Sequence, residues 1–417
     1  MSAIRGRICA RAIAHAVVLA CAFAAFATID AGAAVVPGEF YGVNSGGTLL
    51  NDEAARPAAL RAMHDGGLSF VRVDASWGGV EPAPPVGGVH AYAWAKYDGF
   101  VADLARNGLR WYPMLGYSAP WASSTPGDPF APPAGDRDFA AFAAALAARY
   151  GSNGSFWAEH PELPARPTTV YGIWNEPSNP TFWHGAAATP ARYMQLYLAA
   201  RAAIAAVDPR ARTATAGLLD SGTVDGAAYL NAMLASAPQA RRQIDAVGWH
   251  PYVGDLGQTM ASVGRARATL DRYGLRSVPI EISEVGWWRD GGFAPAKRAE
   301  VLRGLAALLP YAGMHVARLM PYVWTGDPEW QITDLDGSLG QLGGAYFAGI
   351  RDARVTRPGP AATAMRSACR NPRSRKGCWK KLPRNALRRT AVPTAIAART
   401  ASVARTAIGT AATAAFS

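Results

Sequence analysis

Two glutamates stand where short apolar segments give out. Val170-Tyr-Gly-Ile-Trp-Asn-Glu-Pro177 runs into Asn175 and Glu176 and then a proline that a helix interior excludes, and Ile280-Glu-Ile-Ser-Glu-Val-Gly286 places Glu284 just before a glycine. Cleavage of a glycosidic bond requires two carboxyl groups. One, protonated, donates to the leaving oxygen, and the other, ionised, attacks or stabilises the sugar carbon. Environment separates the roles, because a carboxyl beside apolar or acidic neighbours has its pKa raised and one held by hydrogen bonds stays charged. The residues alone leave the two roles unassigned, and Asn175-Glu176-Pro177 by itself also reads as a capped helix start.

What must position such a pair is legible in the spacing. Between residues 35 and 353, short apolar segments alternate with Ala- and Leu-rich helical stretches, the pattern of repeated βα units. Strands are expected at Phe40–Val43, Phe70–Ala75, Arg110–Leu115, Val170–Trp174, Thr213–Leu218, Ala246–His250, Ile280–Glu284 and Arg318–Val323. Helices are expected between them, among them Asp138–Tyr150, Ala191–Val207, Met260–Tyr273 and Ala296–Leu309. Eight such repeats fit one (β/α)8 TIM barrel, a single catalytic domain over residues 34–353, with polar residues at strand C-terminal ends as site candidates. A doubly wound sheet is the rival, but no Gly-x-Gly-x-x-Gly loop follows the first strand. Glu176 and Glu284 fall at the ends of the fourth and seventh strands and face one another across a closed barrel.

Four blocks in order, Phe70-Val-Arg-Val-Asp-Ala-Ser-Trp77, Trp174-Asn-Glu-Pro-Ser-Asn-Pro-Thr-Phe-Trp183, Asp245-Ala-Val-Gly-Trp-His-Pro-Tyr252 and Ile282-Ser-Glu-Val-Gly-Trp287, carry a family likeness. The segment from about Gly38 to Ile350 resembles clan A of the glycoside hydrolases, in particular the cellulase-like proteins grouped with families 5 and 39. The resemblance implies that Glu176 is the acid/base, that Glu284 is the nucleophile, and that anomeric configuration is retained, with the carboxyls about 5 to 5.5 Å apart. It further implies that Asn175 bonds the hydroxyl beside the reacting carbon, that Arg72 orients the nucleophile, and that His250 and Tyr252 touch the nucleophile or sugar. Trp324 would lie beneath the sugar being cleaved, since sugar C–H faces pack on aromatic rings. Tyr117, Trp121, Trp77, Trp183 and His184 are candidate subsite residues on mouth loops, each also readable as plain packing. Arg72 has a simpler alternative as a structural ion-pair partner of Asp74 or another acid. Glu281 is a rival nucleophile on the same strand; strand alternation points it away from Glu284, so it is expected to be paired outside the lumen. Tyr112-Pro-Met-Leu-Gly-Tyr117 lacks the histidine often found near the third strand end in family 5, which leans the likeness toward family 39 or a divergent group.

The reaction expected is hydrolysis of an O-glycosidic bond, in a β-linked oligo- or polysaccharide, without metal or organic cofactor. Transglycosylation and a catalytically silent sugar-binding barrel are the alternatives. The formal charge of +12 suggests nucleic acid until it is located. From Arg354 to the end there are 14 Lys and Arg and no acid, whereas residues 34–353 hold 25 basic and 29 acidic residues. The basicity therefore belongs to a tail, 354–417, that reads as disordered and offers contact with anionic cell-surface polymers. No nucleic acid partner and no stable membrane insertion are expected. Residues 1–33 read as an export signal, with Arg5, Arg7 and Arg11 before an apolar run from Ala16 to Ile29, and imply a secreted protein. Val18-Leu-Ala-Cys21 loosely resembles a lipobox. Cys9 and Cys21 would leave with the signal, and Cys369 and Cys378 are close enough in sequence for a local disulfide.

Overall fold

The computed structural model describes residues 36–289, 291–334 and 337–355. The expected leader, the tail beyond Val355 and all four cysteines lie outside these residues. Eight strands form one sheet in sequential order, every neighbouring pair parallel. They are β1 (Gly42–Asn44), β2 (Phe70–Ser76), β3 (Arg110–Gly116), β4 (Val170–Asn175), β5 (Arg212–Ser221), β6 (Val247–Tyr252), β7 (Ile280–Ile282) and β8 (Val316–Leu319). The last strand meets the first through the N–H groups of Leu319 and Trp324, which donate to Phe40 O and Asn44 O at 2.8 Å each. The sheet is thus a (β/α)8 barrel.

Among the described residues, beside a few helical turns of three to five residues, one long helix follows each strand: α1 (Arg56–Asp65), α2 (Ala95–Arg106), α3 (Asp136–Tyr150), α4 (Pro190–Val207), α5 (Gly226–Ser236), α6 (Leu256–Arg272), α7 (Pro295–Leu308) and α8 (Gly340–Val355). Their starts are written in the sequence. Thr189 Oγ1 accepts the Arg192 N–H ahead of α4, with Pro190 in its first turn. Asp255 and Gln258 form a capping box on α6, each side chain accepting the other's backbone N–H at 3.0 Å. Helix α8 runs two residues past the expected edge of the tail. Among the described residues, no helix is long and apolar enough to cross a membrane.

Alternation along each strand sends one set of side chains outward and the other into the lumen. Trp111 faces out and stacks on Tyr97 of α2, while its neighbour Tyr112 faces in. Phe70, Tyr112, Val170, Ala214, Ala246 and Met320 come from around the ring and form one buried cluster, which fills the N-terminal half of the lumen. Glu281 joins this layer, contrary to the expectation that it is paired outside the lumen. It is 1% exposed, and it accepts from Arg318 Nη1 at 2.8 Å while that guanidinium lies over the Phe70 ring. The alternation argument fails because β7 ends at Ile282. Beyond that point the chain leaves the regular pleat, so Glu281 and Glu284 both turn inward at different heights.

Candidate active site

The end of β4 shapes one half of the site. Trp174 has φ +71° and Glu176 φ +43°, the left-handed region that non-glycine residues seldom occupy. The chain then turns tightly, with the Asn179 N–H donating to Glu176 O at 2.8 Å, and α4 starts only at Pro190. The capped-helix reading of Asn175-Glu176-Pro177 therefore fails. The backward turn carries the Glu176 carboxylate inward, where it is 5% exposed. Asn179 Nδ2 donates to Glu176 Oε2 at 2.9 Å, and His250 Nδ1, from β6, lies 2.8 Å from Oε1. His250 is fully buried, and its Nε2 lies 2.9 Å from Ser283 Oγ. A Cβ at Gly217 on β5 would fall 1.8 Å from His250 Nε2, so glycine there makes room for the ring.

Glu284 completes the other half, two residues past β7. Arg72 Nη1, from β2, donates to its Oε1, and Tyr252 OH donates to Oε2 at 2.7 Å. The other arm of Arg72, Nη2, donates to Asn175 Oδ1 at 2.9 Å. One guanidinium therefore ties the ends of β2, β4 and β7 together. The Arg72–Asp74 gap is 3.9 Å, so Arg72 pairs more closely with Glu284 than with Asp74. Burial pushes the Glu284 carboxyl up, but the charges of His250 and Arg72 and hydrogen bonds from Arg72 and Tyr252 outweigh it and hold the group below the usual range. Burial, then Glu284 and Glu176, push the Tyr252 hydroxyl well above its ordinary value, so it remains a donor.

Glu176, His250 and Glu284 each present a donor atom within 4.8 Å of the others, a grouping of the kind that could hold a metal ion. The Arg72 charge against Glu284 opposes a cation at that point.

A cavity of about 630 Å³ opens above the pair. Asn175, Glu176, Glu284, Tyr252 and Tyr117 line it, as expected of site residues, while Arg72 and His250 lie directly beneath and touch the carboxylates. The expected tryptophans do not reach it. Trp324 is 2% exposed and turned toward Phe347 of α8. Trp77 stacks on Phe142 of α3 and donates to Glu81 Oε2. Trp183 packs edge-on against Trp174. In each case the ring faces the layer between sheet and helices rather than the mouth. Trp121 and His184 likewise serve loop packing, against Trp77 and with Asp128 respectively.

Other residues supply the aromatic wall. Trp330, edge-on to Tyr252, and Tyr322 form one side, and Phe182, stacked on Tyr117, forms the other. Asn44, Asp74, Asn179 and Asp327 add polar groups. Position at a strand end could have flagged Asp74 and Asn44; nothing in the sequence pattern singles out Trp330, which sits on the loop after β8.

No family model matches the chain, and no curated protein matches it. Solved structures do. A family 39 β-xylosidase from Caulobacter crescentus superposes with a TM-score of 0.56 at 20% identity, over 75% of this chain and 71% of that one. The two chains share the (β/α)8 barrel fold. A family 39 enzyme from Xanthomonas axonopodis pv. citri shares this fold (TM-score 0.52, 19% identity, 76% and 67% of the two chains). So does an endo-β-1,4-mannanase from Thermotoga petrophila (0.51, 12%, 76% and 77%).

Proposed function

We propose that the chain is an exported retaining glycoside hydrolase that cleaves a β-linked glycan by double displacement. The observation that carries this reading is the separation of the two glutamates: an oxygen of Glu176 lies within 4.8 Å of one of Glu284. Inverting enzymes hold their carboxyls about 6.5 to 9.5 Å apart to admit a water, whereas about 5 to 5.5 Å suits direct attack. The clan A fold and the β-linked substrates named for two of its structural neighbours, a β-xylosidase and an endo-β-1,4-mannanase, add support.

In the first step an oxygen of ionised Glu284 attacks the anomeric carbon while Glu176 gives its proton to the glycosidic oxygen, and the leaving sugar departs. In the second, Glu176 takes a proton from water, the water oxygen bonds the anomeric carbon, and the Glu284 ester bond breaks. Arg72 and Tyr252 keep Glu284 ionised and aimed. Asn175 uses its Oδ1 on Arg72, which leaves its Nδ2 for the sugar hydroxyl beside the reacting carbon. His250 and Asn179 hold Glu176.

The test is a panel of aryl β-glycosides with Glu176→Ala and Glu284→Ala. Both variants should lose most turnover, and azide should partly rescue Glu284→Ala with a product of inverted anomeric configuration. Normal turnover by Glu284→Ala on any substrate the parent cleaves would sink the assignment.

A further inference from the structure

Among the described residues, every charged side chain lining the cavity is acidic. Asp74, Glu176, Glu284 and Asp327 face the space, and among the described residues no Lys or Arg lines it. The nearest cation, Arg72, lies underneath and spends its arms on Glu284 and Asn175. The double displacement uses the two glutamates and leaves Asp74 and Asp327 without a task.

Asp74 projects from β2 two residues beyond Arg72, hence to the same face. Its side chain is 42% exposed, and that exposed surface borders the cavity. Its closest cationic neighbour, Arg72 Nη2, is 3.9 Å from Oδ1, too far for a hydrogen bond, and no described residue donates one to its carboxylate. An ionised carboxylate accepts on both oxygens and donates nothing. Placed in a sugar site without a protein partner, it matches the paired donors of neighbouring hydroxyl groups.

We infer that Asp74 is a specificity-determining carboxylate that accepts hydrogen bonds from an uncharged sugar ring and, with Asp327, bars sugars bearing a carboxylate or sulfate. The inference rests on the glycosidase reading above. An acidic sugar would bring an acceptor where a donor is needed, and a like charge besides. Two such charges about 6 Å apart, at an effective dielectric near 20, correspond to a discrimination of about 100-fold. Titration gives a second signature. Although its side chain is open to the cavity, Asp74 sits deep in the barrel mouth, and the desolvation imposed by the surrounding walls, with the Glu284 charge, pushes its carboxyl up to about 6 against the pull of Arg72 and His250. Arg72, Glu284, His250 and the hydroxyls of Tyr97, Tyr117 and Tyr322 are the ionisable groups around it among the described residues. As the pH falls through about 6, Asp74 takes up a proton and the barrier to anionic sugars weakens.

The experiment compares matched aryl β-glycosides that differ only at C6: glucoside with glucuronide, galactoside with galacturonide, mannoside with mannuronide. Wild-type protein at pH 7.5 should favour the neutral member in kcat/KM by about 100-fold. That ratio should shrink at pH 5. Asp74→Asn should remove most of that roughly 100-fold ratio at pH 7.5 and raise KM for the neutral sugar, and Asp327→Asn should lower the ratio less. Preference of the wild type for a uronide, or a ratio and KM unmoved in Asp74→Asn, would overturn the inference. If no neutral or acidic member is turned over, the double-displacement reading fails instead. Calorimetric binding of the same pairs then decides the selectivity: tighter binding of the neutral member sustains it, and equal or tighter binding of the uronide overturns it.

Discussion

Glu284 is a carboxylate that burial alone would neutralise. The charges of His250 and Arg72 decide the contest, helped by hydrogen bonds from Arg72 on one oxygen and Tyr252 on the other, and the group stays ionised below its ordinary range. The sign matters for the whole protein. A depressed carboxyl adds stability at neutral pH, and that stability is lost as the pH falls through its native pKa, whereas the raised Asp74 works in the opposite sense between its ordinary value and about 6. Tyr252→Phe removes one donor and leaves the ring in place. A hydrogen bond to a charged group contributes about 1.5 to 3 kcal/mol, so turnover should fall roughly 10- to 100-fold. The acid limb of the kcat profile should move to higher pH, because less holds the proton off Glu284. A profile that falls in height without shifting would show that Tyr252 acts on the substrate rather than on the nucleophile.

At the scale of the strand ends, the chemistry depends on backbone that local preference opposes. Glu176 sits at φ +43°, where an L residue costs about 1 to 2 kcal/mol and glycine costs little. Glu176→Gly should therefore be more stable than Glu176→Ala by about 1 kcal/mol and unfold at a higher temperature, the reverse of their order in a helix. Equal melting of the two variants would mean that the turn relaxes once the carboxylate is gone. The same departure from regular backbone explains what could be read in advance. The eight apolar segments were legible because each strand is buried on both faces, and both glutamates were legible because strands end in polar residues at the mouth. The true end of β7 was not, since Ile280–Ile282 stops where the chain bends, and Glu281 was thereby misplaced. Nor was the fate of the tryptophans. Trp77, Trp183 and Trp324 differ from Trp330 only in which layer their rings enter, and that is set by helices α3 and α8 and by loop paths, not by neighbours in sequence.

Over the whole barrel, chemistry and cohesion occupy opposite ends of one lumen. Arg72, His250 and the glutamates lie at the C-terminal mouth, and Phe70, Tyr112 and the Glu281–Arg318 pair lie in the layer below. The lower pair is poorly satisfied: burial raises the Glu281 carboxyl against the pull of Arg318 and Arg212, and its Oε2 has no hydrogen-bond partner. Such a pair adds little net stability but is costly to break. Arg318→Met should cost about 3 to 5 kcal/mol in chemical denaturation by stranding a buried carboxylate, and adding Glu281→Met should recover most of it. The stranded carboxyl in the single variant ionises more readily unfolded than folded, so its deficit should shrink as the pH is lowered and grow as it is raised. Because the mouth is held by Arg72 and not by Arg318, kcat/KM of the folded single variant should match the parent. A variant that keeps its stability but loses turnover would place the ion pair in the service of the site, and the division of the lumen into two layers would fall with it.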